Sequence, residues 1–131
     1  MPENAVKVGI AVVEHRGRYL VGTRSTETEL GGYSEFPGGK CRPGESSGVC
    51  ARRECREETG LDVQIIELLM HRTFAYPHGT VDLNFWLCHP AARAEVGEDH
   101  RGFHWVPASE LKTLQFPEAN LPLIEVLSPR T

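Results

Sequence analysis

Apolar and polar residues alternate over residues 5–13, with Val6, Val8, Ile10 and Val12 on one side, as in a half-buried strand. The turn His15-Arg16-Gly17-Arg18 sends the chain back along a second strand over residues 19–23. Residues 25–34 are polar and glycine-bearing and predict a loop. A short extended piece, Glu35-Phe36-Pro37, then leads into Gly38-Gly39-Lys40. The next element is a helix with defined ends. Pro43-Gly44 breaks the chain before it, Ser46 or Ser47 can cap its start, and Thr59-Gly60 closes it. Strand patterns follow over 63–69 and 72–76, with Pro77-His78-Gly79 as a turn and a further strand over 81–88. A polar loop over 91–99 precedes a strand over 102–106. A short helix opens at Pro107, where proline is tolerated. An amphipathic helix over 117–127 closes the chain, with Leu121, Ile124 and Leu127 at helical spacing. These elements predict one mixed α/β (α+β) domain over residues 1–131, without internal repeat or linker.

Composition narrows the function. A length of 131 residues suits one compact domain, and 40% apolar with 24% charged residues is ordinary for a globular chain. The formal charge of −4 and the lack of a basic patch argue against a nucleic-acid polymer as partner. An acidic chain still binds nucleotides when a divalent cation bridges its carboxylates to phosphates. The start, MPENAVKVGIAVVEH, has no basic region followed by an apolar core, and no run approaches the roughly eighteen apolar residues of a membrane helix. The expected location is the cytoplasm, with no membrane partner. Cys41, Cys50, Cys55 and Cys88 lack CxxC spacing, which predicts neither a zinc ribbon nor a disulfide framework. Cys88, His89, His100 and His104 are the most zinc-like set, but irregularly spaced. Cys50 and Cys55 read as small buried hydrophobes inside the charged helix.

That helix carries the chemistry. Glu54, Glu57 and Glu58 stand at i, i+3 and i+4, neighbours on one helical face. Taken alone, the run Arg52-Arg53-Glu54-Cys55-Arg56-Glu57-Glu58 is an ordinary solvated face on which Arg53 pairs with Glu57. The context changes this. Gly39, five residues, Glu45, seven residues, then Arg53-Glu54-Cys55-Arg56-Glu57-Glu58-Thr59-Gly60-Leu61 fills every fixed position of G-x5-E-x7-R-E-U-x-E-E-x-G-U, where U is apolar. Seven such fixed residues arise by chance on the order of once in 10⁸ positions. The pattern has a physical rationale. Glycine lets the backbone approach a cation, and carboxylates on one face supply the oxygen ligands that hard divalent cations prefer. Arg53 and Glu45 can orient the glutamates as supporting partners.

The pattern is the Nudix box, and the chain resembles the Nudix hydrolase family. Glu35-Phe36-Pro37-Gly38-Gly39-Lys40, Phe85-Trp86 and Phe116-Pro117-Glu118-Ala119-Asn120 look like its MutT branch. The resemblance implies the Nudix fold, a mixed β-sheet between helices, and Mg²⁺-dependent hydrolysis of nucleoside triphosphates to monophosphate and pyrophosphate, with Mn²⁺ as a substitute. It also implies a small-molecule nucleotide substrate, oxidised guanine nucleotides such as 8-oxo-dGTP being favoured in the branch, and a monomer or homodimer. By position, Gly39 would give a backbone carbonyl to the metal, and Glu54, Glu57 and Glu58 would be carboxylate ligands, one of them also a general-base candidate. A further acid would come from the loop before Trp105-Val106, where Glu98 and Asp99 both fit. Arg24 would contact the phosphates or the base, Lys40 would face phosphates, and Phe36, His78 and Asn120 the base. Two positions depart from the branch: Tyr33-Ser34 replaces a tryptophan, and His78-Gly79 replaces an Asp-Arg pair. Both touch the nucleoside pocket, so other nucleoside diphosphate-linked substrates (ADP-ribose, dinucleoside polyphosphates, pyrimidine triphosphates) remain alternatives. A catalytically silent nucleotide-binding domain is the remaining class, against which stands the complete set of box glutamates. A P-loop is excluded, since Ser34 stands where glycine is needed and Cys41 follows Lys40.

Overall fold

The computed structural model describes residues 5–28 and 30–129. Its strands are β1 (Val6–His15), β2 (Arg18–Thr23), β3 (Ser34–Glu35), β4 (Gly38–Lys40), β5 (Val63–Tyr76), β6 (Gly79–Pro90), β7 (Asp99–His100) and β8 (Phe103–Pro107). Two α-helices, α1 (Ser47–Thr59) and α2 (Leu121–Leu127), pack on opposite faces of the sheet. Its strand order is β5-β6-β1-β2-β8-β7, with β3 on β2 and β4 on β1. Among the described residues, only the β1–β6 pairing is parallel. The expected mixed sheet between helices is present.

β1 explains how the two faces are used. Val8, Ile10 and Val12 face the α2 side, with Phe85, Leu111, Phe116, Leu123 and Ile124. The opposite face is also buried: Ala11 and Val13 join Ala51, Cys55 and Trp105 under α1. The alternation in the sequence under-reports this second face because the helix sits too close for large residues there. A Cβ on Gly9 would fall 2.5 Å from the Ser47 carbonyl oxygen and 2.7 Å from the Ala51 nitrogen. Glycine is therefore required for the approach of α1 to β1.

β1 also divides the sheet. Its first half pairs with β4, Gly9 opposite Gly39, while its last residues pair with β2, Glu14 opposite Tyr19. Between these, the Ala11 N–H donates to the Pro37 carbonyl at 2.8 Å. The chain from β3 to β4 thus crosses the middle of β1, beside the start of α1.

Several elements differ from the sequence expectation. The two strands expected over 63–69 and 72–76 are one strand, β5, with register shifts between Ile65 and Glu67 and between Leu68 and Met70. The bulges break the alternation that marks a strand, so the sequence reads as two pieces. The segment after Pro107 is 3₁₀-helical over Ala108–Thr113. The closing helix is a 3₁₀ turn, Glu118–Asn120, followed by α2. Its buried residues are Leu123 and Ile124, whereas Leu121 is 48% exposed. Pro122 at the start of α2 and the preceding 3₁₀ turn rotate the face away from the 121-124-127 register.

Candidate active site

α1 begins and ends as its sequence dictates. The Ser46 hydroxyl accepts from the Val49 N–H at 3.3 Å, and Gly60 takes a left-handed conformation with φ 78°, its N–H donating to the Arg56 carbonyl. The other candidate cap, Ser47, instead accepts from the Trp86 indole N–H at 2.9 Å and ties the first turn to β6. With the helix fixed at both ends and pressed on β1 at Gly9, its polar face meets the β4 backbone.

Arg53 organises that meeting. Its Nε and Nη2 reach the two Glu45 oxygens at 2.7 and 2.8 Å, and its Nη1 reaches Glu54 at 2.9 Å and Glu57 at 3.2 Å. Nη2 also donates to the Lys40 carbonyl at 3.2 Å. A planar fork with five donors can serve this many acceptors at once, and lysine cannot. Glu45 in turn accepts from the Arg42 N–H at 3.0 Å, folding the loop between β4 and α1. The Arg53 guanidinium and this N–H hold the Glu45 carboxyl down to about 2.

Two of the three helix glutamates border Gly38-Gly39. Glu54 lies against Gly39, where an added Cβ would come within 2.5 Å of its carboxyl carbon. Glu58 accepts from the Gly38 N–H at 2.9 Å. Burial pushes its carboxyl up to about 7, reinforced by the charges of Glu35, Glu54 and Glu57 and opposed by the Gly38 N–H. Glu57 is half exposed, and Arg42 approaches it at 3.6 Å. The three carboxylates do not close into one tight cluster, because Arg53 occupies the space beside Glu54 and Glu57 while Glu58 turns to the backbone. Their oxygens and the Gly39 carbonyl are the donor type that a hard divalent cation takes, so these residues could hold one. Among the described residues, the side chains that do converge, with ligand atoms within 4.8 Å of one another, are Cys41, Glu45 and Cys50. That set contains two thiols and a carboxylate already engaged by Arg53, so it is not a Mg²⁺ site. Cys88, His89, His100 and His104 do not come together as a metal group among the described residues.

A cleft of about 360 Å³ opens beside the glycines. Arg24, Phe36, Gly39, Lys40, His78 and Asn120 all line it. Arg24 reaches Glu35 at 3.4 Å, and its backbone closes the following loop, its N–H donating to the Tyr33 carbonyl and its carbonyl accepting from the Gly32 N–H. Phe36 is buried and stacks on Phe116, with ring centroids 5.0 Å apart, so it is at once a core residue and the cleft floor. His78 stacks on Tyr76 at 5.6 Å with planes 17° apart. Asn120 precedes α2 without capping it through its side chain. Glu98 and Asp99 are both exposed. Asp99 lies 3.4 Å from the Gly102 N–H within the β7–β8 turn, whereas Glu98 makes no hydrogen bond or ion pair among the described residues.

Sequence reasoning passed over three residues here. Glu35 is half buried, with a carboxyl raised by burial and drawn back by Arg24, and it lies in the same cleft. Its position in the Glu-Phe-Pro run was the available signal. Arg72 donates to the Ala119 carbonyl at 3.2 Å and holds the turn that presents Asn120. Arg101 donates to the Glu57 carbonyl at 2.8 Å and docks the β7–β8 turn on the end of α1. Both contacts span more than forty residues, and no local pattern announces them.

Residues 3–127 match the family model described as NUDIX domain. The chain belongs to the Nudix family. It is 28% identical to the 8-oxo-dGTP diphosphatase of Escherichia coli (strain K12), over 97% of this chain and 98% of that protein. It is equally 28% identical to the CTP pyrophosphohydrolase of the same organism, over 92% and 89%. Among solved structures, the MutT protein of methicillin-resistant Staphylococcus aureus 252 superposes with a TM-score of 0.76 at 25% identity, covering 96% of this chain and 97% of that one. The MutT protein of Methanosarcina mazei Go1 superposes at 0.77 with 21% identity, over 97% and 96%, a likeness of fold. This Nudix protein is therefore a MutT-like hydrolase acting on phosphoanhydride bonds.

Proposed function

We propose that this Nudix hydrolase converts nucleoside triphosphates to monophosphates and pyrophosphate with Mg²⁺, Mn²⁺ substituting, and that oxidised or otherwise non-standard purine nucleotides are its preferred substrates. The observation that carries the reading is one continuous cleft. Asn120, His78, Phe36, Arg24, Lys40 and Gly39 all line it, and Glu54 lies against Gly39. Gly39 through its carbonyl, with Glu54, Glu57 and Glu58 through their carboxylates, would hold the cation, and Glu98 is the candidate for a further ligand from the β7–β8 side. Such a cation neutralises charge on the phosphate oxygens and lowers the pKa of a bound water. Arg53 would keep the Glu54 and Glu57 oxygens oriented. Glu58, which accepts from the Gly38 N–H, is the candidate among the helix glutamates to take the proton of the attacking water. Arg24 and Lys40 line the cleft where the phosphates would lie, and the Asn120 carboxamide offers a donor and an acceptor to the edge of a purine. The protein would act in the cytoplasm on free nucleotides, as a monomer or homodimer, with no membrane or nucleic-acid polymer as partner. Among the described residues, no helix is long and apolar enough to cross a membrane.

A second reading, a pyrimidine triphosphate as substrate, is favoured by the equal identity to the CTP pyrophosphohydrolase. One experiment separates the two. A panel of normal and oxidised purine nucleotides, pyrimidine nucleotides and ADP-ribose is ranked by kcat/KM with Mg²⁺, with and without chelator. The first reading expects an oxidised purine to lead and chelator to abolish turnover. A pyrimidine in first place selects the second, and turnover that survives chelation refutes the metal mechanism.

A further inference from the structure

We infer that Cys41 and Cys50 form a reversible intramolecular disulfide that weakens binding of the divalent cation at the adjoining glutamate site. The second half of this statement rests on the reading of Gly39 as a cation ligand; the first half does not.

The two sulfurs already lie within 4.8 Å of one another, in a group completed by Glu45. Glu45 is spoken for, with two bonds from Arg53 and one from the Arg42 N–H, so the uncommitted chemistry of the group is the thiol pair. The surrounding backbone is fixed. The Cys41 N–H donates to the Lys7 carbonyl at 2.9 Å, extending the β4–β1 pairing, and the Cys50 N–H donates to the Ser46 carbonyl at 2.9 Å in the first turn of α1. The loop between them is folded back on itself by the Glu45 N–H to the Arg42 carbonyl at 3.0 Å. Closing the ring therefore costs little of the loop entropy that separates most cysteine pairs. Cys41 is half buried and open to a small oxidant, while Cys50 is fully buried behind it.

With hydrogen peroxide as oxidant the chemistry balances. The Cys41 thiolate attacks one peroxide oxygen, the O–O bond breaks, and the hydroxide that leaves takes a proton to become water. Cys50 sulfur then attacks the Cys41 sulfenic acid. The S–S bond forms as the S–O bond breaks, and the departing hydroxide leaves as water with the Cys50 proton. Two thiols lose two electrons and two hydrogens, and the peroxide is reduced to water. A dithiol reductant reverses the step by thiol–disulfide exchange.

The consequence for the cation site follows from the backbone beside the pair. When reduced, the Cys50 S–H donates to the Gly39 carbonyl at 3.3 Å, the oxygen assigned to the metal. Loss of that hydrogen does not itself oppose a cation; the weakening comes from displacement of the backbone that carries the oxygen. Drawing Cys41 toward α1 pulls on Lys40, whose carbonyl Arg53 holds, and on Gly39, which has no clearance from the Glu54 carboxyl.

The test uses the full chain. Trypsin cleaves after Lys40 and Arg52 but leaves the Arg42-Pro43 bond, so Cys41 and Cys50 fall on one peptide, residues 41–52, apart from Cys55 and Cys88. After brief hydrogen peroxide treatment and alkylation, this peptide should lose two hydrogens, regain them with dithiothreitol, and show no such change in Cys41→Ser. Mn²⁺ affinity, read from the electron paramagnetic resonance signal of the free ion, should be about three- to tenfold weaker in the oxidised protein. It should be unmoved by peroxide in Cys41→Ser. A 41–52 peptide that keeps both alkylated thiols, or stops at a singly oxygenated cysteine, overturns the disulfide. Equal Mn²⁺ affinity in the oxidised and reduced forms overturns the coupling. Reduced protein that binds no Mn²⁺ removes the metal-site reading instead, and the peptide mass still decides the disulfide.

Discussion

At the scale of single residues, the site depends on one glycine and one arginine that do not act on substrate through their own functional groups. Gly39 has no clearance on its Glu54 side, where a methyl group would lie 2.6 Å from a carboxylate oxygen. Because the obstructed group is the end of a flexible side chain, Gly39→Ala should fold with stability within about 1 kcal/mol of the parent. It should nevertheless displace Glu54 from the Gly39 carbonyl, and Mn²⁺ titration should show affinity weakened by roughly tenfold or more. Unchanged affinity would remove Glu54 from the cation site. Arg53→Lys probes the supporting layer. Lysine keeps the charge but cannot bond Glu45, Glu54, Glu57 and the Lys40 carbonyl together. Its kcat/KM should fall about 10- to 100-fold, with the metal concentration for half-maximal rate rising, as expected when the orientation of ligands is lost. A fall in kcat/KM with no change in metal requirement would instead make Arg53 a substrate contact. Glu57→Gln, which removes the charge of a proposed ligand, should cut turnover by orders of magnitude while leaving the thermal transition in place.

At the scale of elements, α1 works because it lies on β1 with almost no space between them. Gly9→Ala forces a methyl group into the helix backbone at Ser47 and Ala51, where neither partner is a flexible side chain. The expected cost is about 1–3 kcal/mol of unfolding free energy, read from the shift in urea midpoint at constant m-value. A neutral result would mean that helix and strand are less tightly coupled than the site geometry requires. The same closeness determines which parts of the molecule could be read from sequence. α1 was legible in full, since Ser46, Gly60 and the box residues are local signals that no tertiary contact overrides. The β1 face toward α2 was legible through Val8, Ile10 and Val12, but its α1 face was not, because small residues there are a consequence of packing and carry no period. β5 was broken in two by bulges that depend on its partner β6. The buried stripe of α2 was misplaced by a 3₁₀ turn that hydrophobic spacing cannot register. For the site, Arg24, Phe36, Gly39, Lys40, His78 and Asn120 of the cleft lining were named in advance from a resemblance; Glu35 was not, nor were the long-range anchors Arg72 and Arg101, whose partners become neighbours only in the folded chain.

At the scale of the whole molecule, the cluster at the α1 N-terminus gives folding stability a dependence on acid that can be assigned to one group. Glu45 links three parts of the fold: its oxygens bond Arg53 on α1 and the Arg42 N–H in the loop after β4, and its carbonyl accepts from Lys7 of β1 at 2.6 Å. The side-chain bonds favour the charged carboxylate, and they lower its pKa from 4.5 to about 2 in the folded protein. The unfolded chain therefore takes up the Glu45 proton first as pH falls, and stability decreases with falling pH across the interval between the two values. Above 4.5 the group is ionised in both states and its stabilisation is fully present; as pH falls through 2 the folded carboxylate is protonated too and that stabilisation is lost. Metal-free protein and its Glu45→Gln variant, melted in parallel from neutral pH downward, should show this directly. The variant should be the less stable by a constant margin above about pH 4.5, and the two curves should draw together as pH approaches 2. A margin that stays constant down to pH 2 would mean that Arg53 and Glu45 are held together by shape and hydrogen bonding without their charges, and that Arg53 is oriented toward Glu54 and Glu57 by some other contact.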